Sequence, residues 1–242
     1  MIKINRFFTD EEIINGKIEL FDENVHHIRN VLKLGEKEQL ILVKNKKELL
    51  CSIDKIEKNS IIVSVEKELS ENKENPFSLT LIQGVPKGDK SDFIVEKAVE
   101  AGATQIVFVN TKRCVAVVEK NKASKKLERW QKIAKSAACQ SGRLVIPDVK
   151  CEFDVLKTDF SEFDLKLLCY EDEKETSLKE VLKANSDAKN VAVFIGPEGG
   201  IDKKEAEHLI KNGFECVSLG KRILRCETAG LYTLACINYE LN

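Results

Sequence analysis

Between residues 38 and 66 the apolar positions come in short bursts, E-Q-L-I-L-V-K, L-L-C-S-I-D-K-I and S-I-I-V-S-V-E, parted by the polar clusters K-N-K-K-E and E-K-N-S. Bursts of this length, rich in β-branched residues, predict strands of a small sheet or barrel. Ahead of them, D-E-N-V-H-H-I-R-N-V-L-K-L-G (22–35) predicts a short helix ending at Gly35, with Val25, Ile28 and Leu32 along one face. The polar, proline-containing stretch L-S-E-N-K-E-N-P-F-S (69–78) reads as a boundary, which divides the chain into 1–72 and 73–242.

The rhythm then changes. S-L-T-L-I-Q-G-V-P (78–86) predicts a strand, D-K-S-D-F-I-V-E-K-A-V-E-A-G (89–102) a helix stopped by glycine, and T-Q-I-V-F-V-N (104–110) a second strand. A long basic helix over about 122–141 follows, then a strand at 165–170, a helix around 177–184 and the strand N-V-A-V-F-I at 190–195. Continuous apolar strands alternating with helices predict a mostly parallel sheet covered on both faces, so the second domain is α/β.

After that strand comes G-P-E-G-G (196–200), and then I-D-K-K-E-A-E-H-L-I-K-N-G, in which Asp202 and Glu205 have the spacing of a capping box and Gly213 closes the helix. The loop therefore joins the carboxyl end of a buried strand to a helix start, the place where open α/β sheets bind ligands. It is neither G-x-G-x-x-G nor a G-K-[ST] phosphate loop. Pro197 removes an N–H and Glu198 adds a negative charge, both unsuited to phosphate. A ligand with an adenosine group and no phosphate suits it better, although a plain tight turn also accounts for the glycines.

A second turn repeats the arrangement. F-E-C-V-S-L-G (214–220) predicts a strand, and K-R-I-L-R-C-E-T-A-G-L-Y-T-L-A-C-I leads into a terminal helix that is apolar almost all round and must be buried, in its own core or against another subunit. Arg222, Arg225 and Glu227 lie between them, at the sheet's carboxyl edge. A salt-bridged helix start explains these charges as well as a site does.

Charge and cysteine content refine the picture. The 242 residues have a net charge of −1, but residues 76–150 hold 14 Lys and Arg against 7 Asp and Glu, a basic third between two acidic ones. That is a footprint for phosphates. On the long helix, Lys122, Lys125, Lys126, Arg129 and Lys132 share one side; an ordinary solvated face explains the lysines individually. Trp130 is expected in the core or an interface. Eight cysteines without a C-x-x-C pair and three histidines show no metal-ligand spacing, and suit small apolar positions in a reducing cytoplasm. No apolar run approaches a membrane span, and the N-terminal stretch has no signal-peptide core.

I-G-P-E-G-G followed by S-L-G-K-R-I-L-R-C-E-T-A closely resembles the ribosomal RNA small subunit methyltransferase E family. The likeness extends over nearly the whole chain: R-F-F (6–8) with H-H-I-R-N-V-L-K-L (26–34), then K-G-D-K-S-D-F-I-V-E-K-A-V-E-A-G, R-W-Q-K-I-A (129–134) and Q-S-G-R (140–143) are similar to its further signatures. One position departs: the family form is L-R-T-E-T-A, and Cys226 stands in the threonine place.

The resemblance implies a small PUA-like β-barrel domain followed by a SPOUT-type α/β domain with a trefoil knot, working as a homodimer. It implies S-adenosylmethionine as cofactor, and methylation of N3 of a uridine in the decoding region of 16S rRNA. The cofactor loops would lie around 168–171, 196–200 and 219–224, with Leu168, Tyr170, Ile195, Gly196, Glu198, Gly200, Leu219, Gly220, Ile223 and Leu224 as cofactor-binding residues. Arg225 is expected to stabilise charge on the base, with Glu227 as its orienter or a base. Arg6, His27, Arg29, Arg113, Arg129, Gln140 and Arg143 are the expected RNA contacts, although His27 beside an apolar face fits a structural role equally. Rival readings are a knotted enzyme acting on another RNA position or a ribose 2′-oxygen, a non-catalytic ribosome-assembly protein, and a small-molecule α/β enzyme.

Overall fold

A computed structural model describes residues 4–69 and 72–242. Met1–Lys3 of the N-terminal stretch, and Ser70 and Glu71 inside the expected boundary, lie outside the described residues. The backbone divides into two units, and the division is not linear. One unit runs to Glu74 and takes in Cys139–Val145, while the other holds Asn75–Ala138 and Ile146–Asn242.

The first unit carries β1 (Asn5–Phe8), β2 (Lys17–Leu20), β3 (Gln39–Lys44), β4 (Lys47–Ile56) and β5 (Ile61–Leu69) in the order β1-β3-β4-β5-β2. The three apolar bursts are β3 to β5. Between β3 and β4, Asn45 and Lys46 take φ of 50° and 61°, the left-handed values a two-residue hairpin turn needs. Alternate side chains of these strands (Leu40, Leu42, Cys51, Ile53, Ile61, Val63) meet Ile18, Leu20, Val25 and Ile28 in one core. The strands β1 and β2, four residues each, are too short for their alternation to stand out in sequence. The helix expected over 22–35 ends early. α1 (Asp22–His26) passes into a π turn over His27–Val31, and Lys33 at φ 54° turns the chain away before Gly35. Val25 and Ile28 are buried as expected, with Leu32 packed at the edge.

The second unit alternates β6 (Ser78–Gly84), α2 (Lys90–Glu100), β7 (Gln105–Val109), α3 (Lys120–Ser141), β8 (Asp148–Glu152), β9 (Leu165–Cys169), α4 (Leu178–Ala184), β10 (Asn190–Ile195), α5 (Lys203–Lys211), β11 (Glu215–Val217) and α6 (Cys226–Leu241); the last residues of α3 belong to the first unit. Its six strands run in the order β11-β9-β10-β6-β7-β8, and every pairing is parallel. On one face Ile82, Leu168, Ala192 and Phe194 pack with Phe160, Leu209 and Phe214, the last edge-on to both other phenylalanine rings. Burying a side chain of that size stabilises by about 1.5–3 kcal/mol. α6 packs on α2, α4, β6 and β10. The strand β8 went unpredicted: at the sheet's end, D-V-K-C-E alternates in charge and only Val149 is fully buried.

Because all strands are parallel, their carboxyl ends share one edge. Order then decides which loops meet: β11, β9 and β10 are consecutive neighbours, so the segments after Val217, Cys169 and Ile195 are brought together.

Candidate functional site

These three segments enclose a cleft of about 1190 Å³. Ile195, Val217, Leu219, Leu224 and Ala229 give it apolar surface. The segment after β9 adds Glu171, Asp172 and Glu173, and that after β11 adds Lys221, Arg222 and Arg225. The cleft thus offers an apolar slot with acids on one loop and bases on another.

The glycines have different duties. A Cβ on Gly196 would stand 2.7 Å from Ile201 Cγ1, and one on Gly199 2.9 Å from the Arg113 carbonyl oxygen. A Cβ on Gly200, at φ 69°, would strike the Glu171 carboxylate. The 196–200 loop is therefore glycine-rich mainly because protein packs against it. Gly220 differs, with φ 103° and nothing within 4 Å of its would-be Cβ: its backbone faces open space at the cleft. Gln83, fully buried at the end of β6, supports the first loop by donating to the Gly196 carbonyl at 3.3 Å.

Arg225 precedes α6 as its N-cap, where a cation opposes the helix dipole. It is exposed and its guanidinium has no hydrogen-bond or ion-pair partner among the described residues. Glu227, in the first turn, accepts from the Cys226 thiol at 3.3 Å and from Lys90 Nζ at 3.1 Å. Lys90 also reaches Glu198 Oε1 at 2.8 Å, and Glu198 accepts the Lys87 N–H at 3.2 Å. Partial burial works against ionisation of both glutamates, but the hydrogen bonds from Lys90, Cys226 and backbone N–H groups outweigh it and hold both below the usual range. Burial, then Glu227, pushes the Cys226 thiol up to about 12, so it stays protonated at neutral pH.

Of the residues singled out in sequence, Tyr170, Ile195, Gly196, Glu198, Gly200, Leu219, Gly220, Ile223, Leu224 and Arg225 line the cleft. Leu168 does not: it lies fully buried in the core, and Cys169 is the first residue of its strand to reach the cleft. Ile223 is 97% exposed. Glu227 sits just behind the lining, and no contact joins it to Arg225 among the described residues. The Asp202–Glu205 capping box forms only by half. Asp202 accepts the Lys204 N–H at 3.2 Å, but Glu205 is buried and accepts the Lys112 N–H at 2.8 Å instead.

The expected RNA contacts divide by exposure. Arg113 is exposed and donates to the Gly199 carbonyl at 3.2 Å, which ties it to the loop. Arg129 and Gln140 are exposed on α3, the former paired with Asp92. His27 is exposed with its ring edge-on to Phe7, and Arg29 donates to the carbonyls of Glu57 and Lys58. Arg6 and Arg143 are not offered to solvent. Arg143 is 5% exposed, binds Glu74 through Nε and Nη2, and Arg6 pairs with the buried Glu48 and donates to the Gly142 carbonyl. Their charges are answered inside the first unit. Trp130 is buried against Phe108. Lys90 and Gln83 were missed, since each acts on a loop over a hundred positions away and no local pattern marks them. Among the described residues no His, Cys, Asp and Glu cluster could hold a metal ion.

A parallel α/β sheet with a cleft across three adjacent strand ends matches the RNA methyltransferase domain family over residues 73–238, and residues 20–66 match the RNA methyltransferase PUA domain; the class is that of SPOUT RNA methyltransferases. Ribosomal RNA small subunit methyltransferase E of Bacillus subtilis (strain 168) is 34% identical over 225 residues, 90% of this chain and 88% of that protein. The crystal structure of a ribosomal RNA small subunit methyltransferase E from Neisseria gonorrhoeae bound to S-adenosyl methionine has a TM-score of 0.86 at 32% identity, covering 98% of both chains. A methyltransferase structure from Legionella pneumophila with the cofactor SAM bound also has a TM-score of 0.86, at 30% identity and 98% of both chains. The chain belongs to the ribosomal RNA small subunit methyltransferase E family.

Proposed function

We propose that this chain transfers a methyl group from S-adenosylmethionine to N3 of a decoding-region uridine in 16S rRNA. The observation that carries the reading is the convergence of three loops on one cleft, with an unpaired arginine, Arg225, at its rim. The cleft fits the cofactor in kind: an apolar slot for a nucleoside, open backbone at Gly220 and carboxylates for a cation. Tyr170, Ile195, Gly196, Leu219, Gly220 and Leu224 would hold it. When bound, S-adenosylmethionine supplies a methyl activated by a sulfonium.

The chain's own residues align the base and place charge. N3 lies on the Watson–Crick edge, so the uridine must be unpaired or turned out. As N3 loses its proton, negative charge spreads to O2 and O4, where the Arg225 guanidinium stabilises it. Glu227 is already committed to Lys90 and the Cys226 thiol. We therefore give it an orienting role at the start of α6 and leave the proton to solvent. Arg113, Arg129, Gln140, His27 and Arg29 are the RNA contacts of this reading, whereas Arg6 and Arg143 brace the first unit. Residues 1–72, completed by 139–145 in the first unit, serve as the PUA-like RNA-binding domain and the rest of 73–242 as the methyltransferase domain, with a trefoil knot at the cleft. The exposed Tyr232, Ala235 and Tyr239 of α6 would face a second copy in a cytoplasmic homodimer. No helix among the described residues is long and apolar enough to cross a membrane.

The test is mass mapping of 16S rRNA from a deletion strain, with complementation by wild type and by Arg225→Ala. Loss of a single uridine-base methyl, restored by wild type and not by Arg225→Ala, is expected. A lost methyl on a ribose or another base overturns the reaction, and full restoration by Arg225→Ala overturns the role of the arginine.

A further inference from the structure

We infer that Lys90 is a positioning residue that clamps the loop after β10 to the first turn of α6, and so fixes where Arg225 stands relative to the cleft. The inference rests on the methyltransferase reading for its kinetic consequence, but not for its structural one.

Lys90 opens α2, a third element that is neither of the two it joins. Its ammonium lies 2.8 Å from Glu198 of the loop and 3.1 Å from Glu227 of α6. Each carboxylate has a second tie: Glu198 accepts the Lys87 N–H at 3.2 Å, and Glu227 the Cys226 thiol at 3.3 Å. Two glutamates from separate segments thus converge on one cation. Without it they would be like charges in a partly buried site, which disfavours ionisation of both and pushes the segments apart.

Helix stability does not account for a lysine here. At the first position of α2 a cation opposes the helix dipole, and Asp89 ahead of it makes no side-chain cap. The pairs with Glu198 and Glu227 do account for it. The neighbouring cation, Arg225, is left outside this cluster and is free to meet a ligand, being without a partner among the described residues. The geometry therefore separates two basic roles at one helix start: Lys90 holds the frame and Arg225 faces the cleft. Lys90 itself is not among the residues that line the cleft.

A residue that aligns without touching substrate should act on turnover rather than on substrate affinity, and a displacement of about 1 Å costs on the order of 100-fold. Lys90→Met is expected to lower kcat on small ribosomal subunits by about 10- to 100-fold with KM for the subunit changed less than about twofold, and Lys90→Arg to recover most of the loss. In the ligand-free protein, amide hydrogen exchange should quicken in Lys90→Met at both 196–200 and 226–229 and stay near wild type in Lys90→Arg. Lys90→Gln serves the same comparison if Lys90→Met does not fold. Unchanged protection of either segment in a folded variant overturns the clamp, as does a loss confined to KM. Absence of turnover in the wild type under the same assay counts against the methyltransferase reading alone, because the exchange data still decide the clamp.

Discussion

At the scale of single residues, the cleft's chemistry depends on which charges are answered and which are left open. Glu198 looked in sequence like a negative charge directed at a ligand, and its side chain is instead turned to Lys87 and Lys90. Arg225 had two readings in sequence, a helix-start ion pair or a group that stabilises charge on the base, and its guanidinium is left open among the described residues. Neither outcome is written in local spacing, because the deciding partner lies in α2, far away along the chain. Cys226 was legible only as a departure from the L-R-T-E-T-A form of the family. Its thiol, kept protonated by a pKa of about 12, still donates to Glu227 and so does part of a hydroxyl's work. Cys226→Thr should therefore retain turnover, whereas Cys226→Val deletes the donor. The loss of one such hydrogen bond is worth about 0.5–1.5 kcal/mol, so kcat/KM of Cys226→Val should fall by about 2- to 10-fold in a methylation assay.

At the scale of elements, most of the framework could be read from periodicity: three bursts became β3 to β5, and continuous apolar runs became the parallel strands. What failed were elements too short or too polar to show a period, and contacts supplied from elsewhere. The Asp202–Glu205 box is the clearest case, since the buried Glu205 is taken by the Lys112 N–H. The reciprocal box is formed by Ser177 and Glu180 at the start of α4. Glu205 and Asp202 together hold Lys112, and the next residue, Arg113, seats its carbonyl against Gly199. The glycine there is needed for this contact. Gly199→Ala forces the two loops apart, an overpacking of about 1–3 kcal/mol. Calorimetry should register it as a loss of S-adenosylmethionine affinity of about tenfold or more.

At the scale of the whole molecule, the sequence suggested a break near residue 72, but the first unit is completed by Cys139–Val145 from the middle of the chain. Arg143 joins Glu74 inside that unit, nearly out of reach of water. Removing one partner of a buried pair leaves the other uncompensated and costs about 3–5 kcal/mol. Arg143→Met is accordingly expected to lower the urea midpoint of unfolding markedly, in proportion to that loss. The strand order has a further consequence for how the chain is made. β6 lies between β7 and β10, so during synthesis its β7 side can pair soon after it emerges, while its other edge has no partner until residues 190–195 have left the ribosome. Throughout that interval a strand with six of its seven residues buried in the finished fold presents an open row of backbone donors and acceptors. The growing protein is thus most exposed to self-association along the edge that β10, the strand leading into the cleft, will later cover, and chaperone demand should peak just before that strand appears.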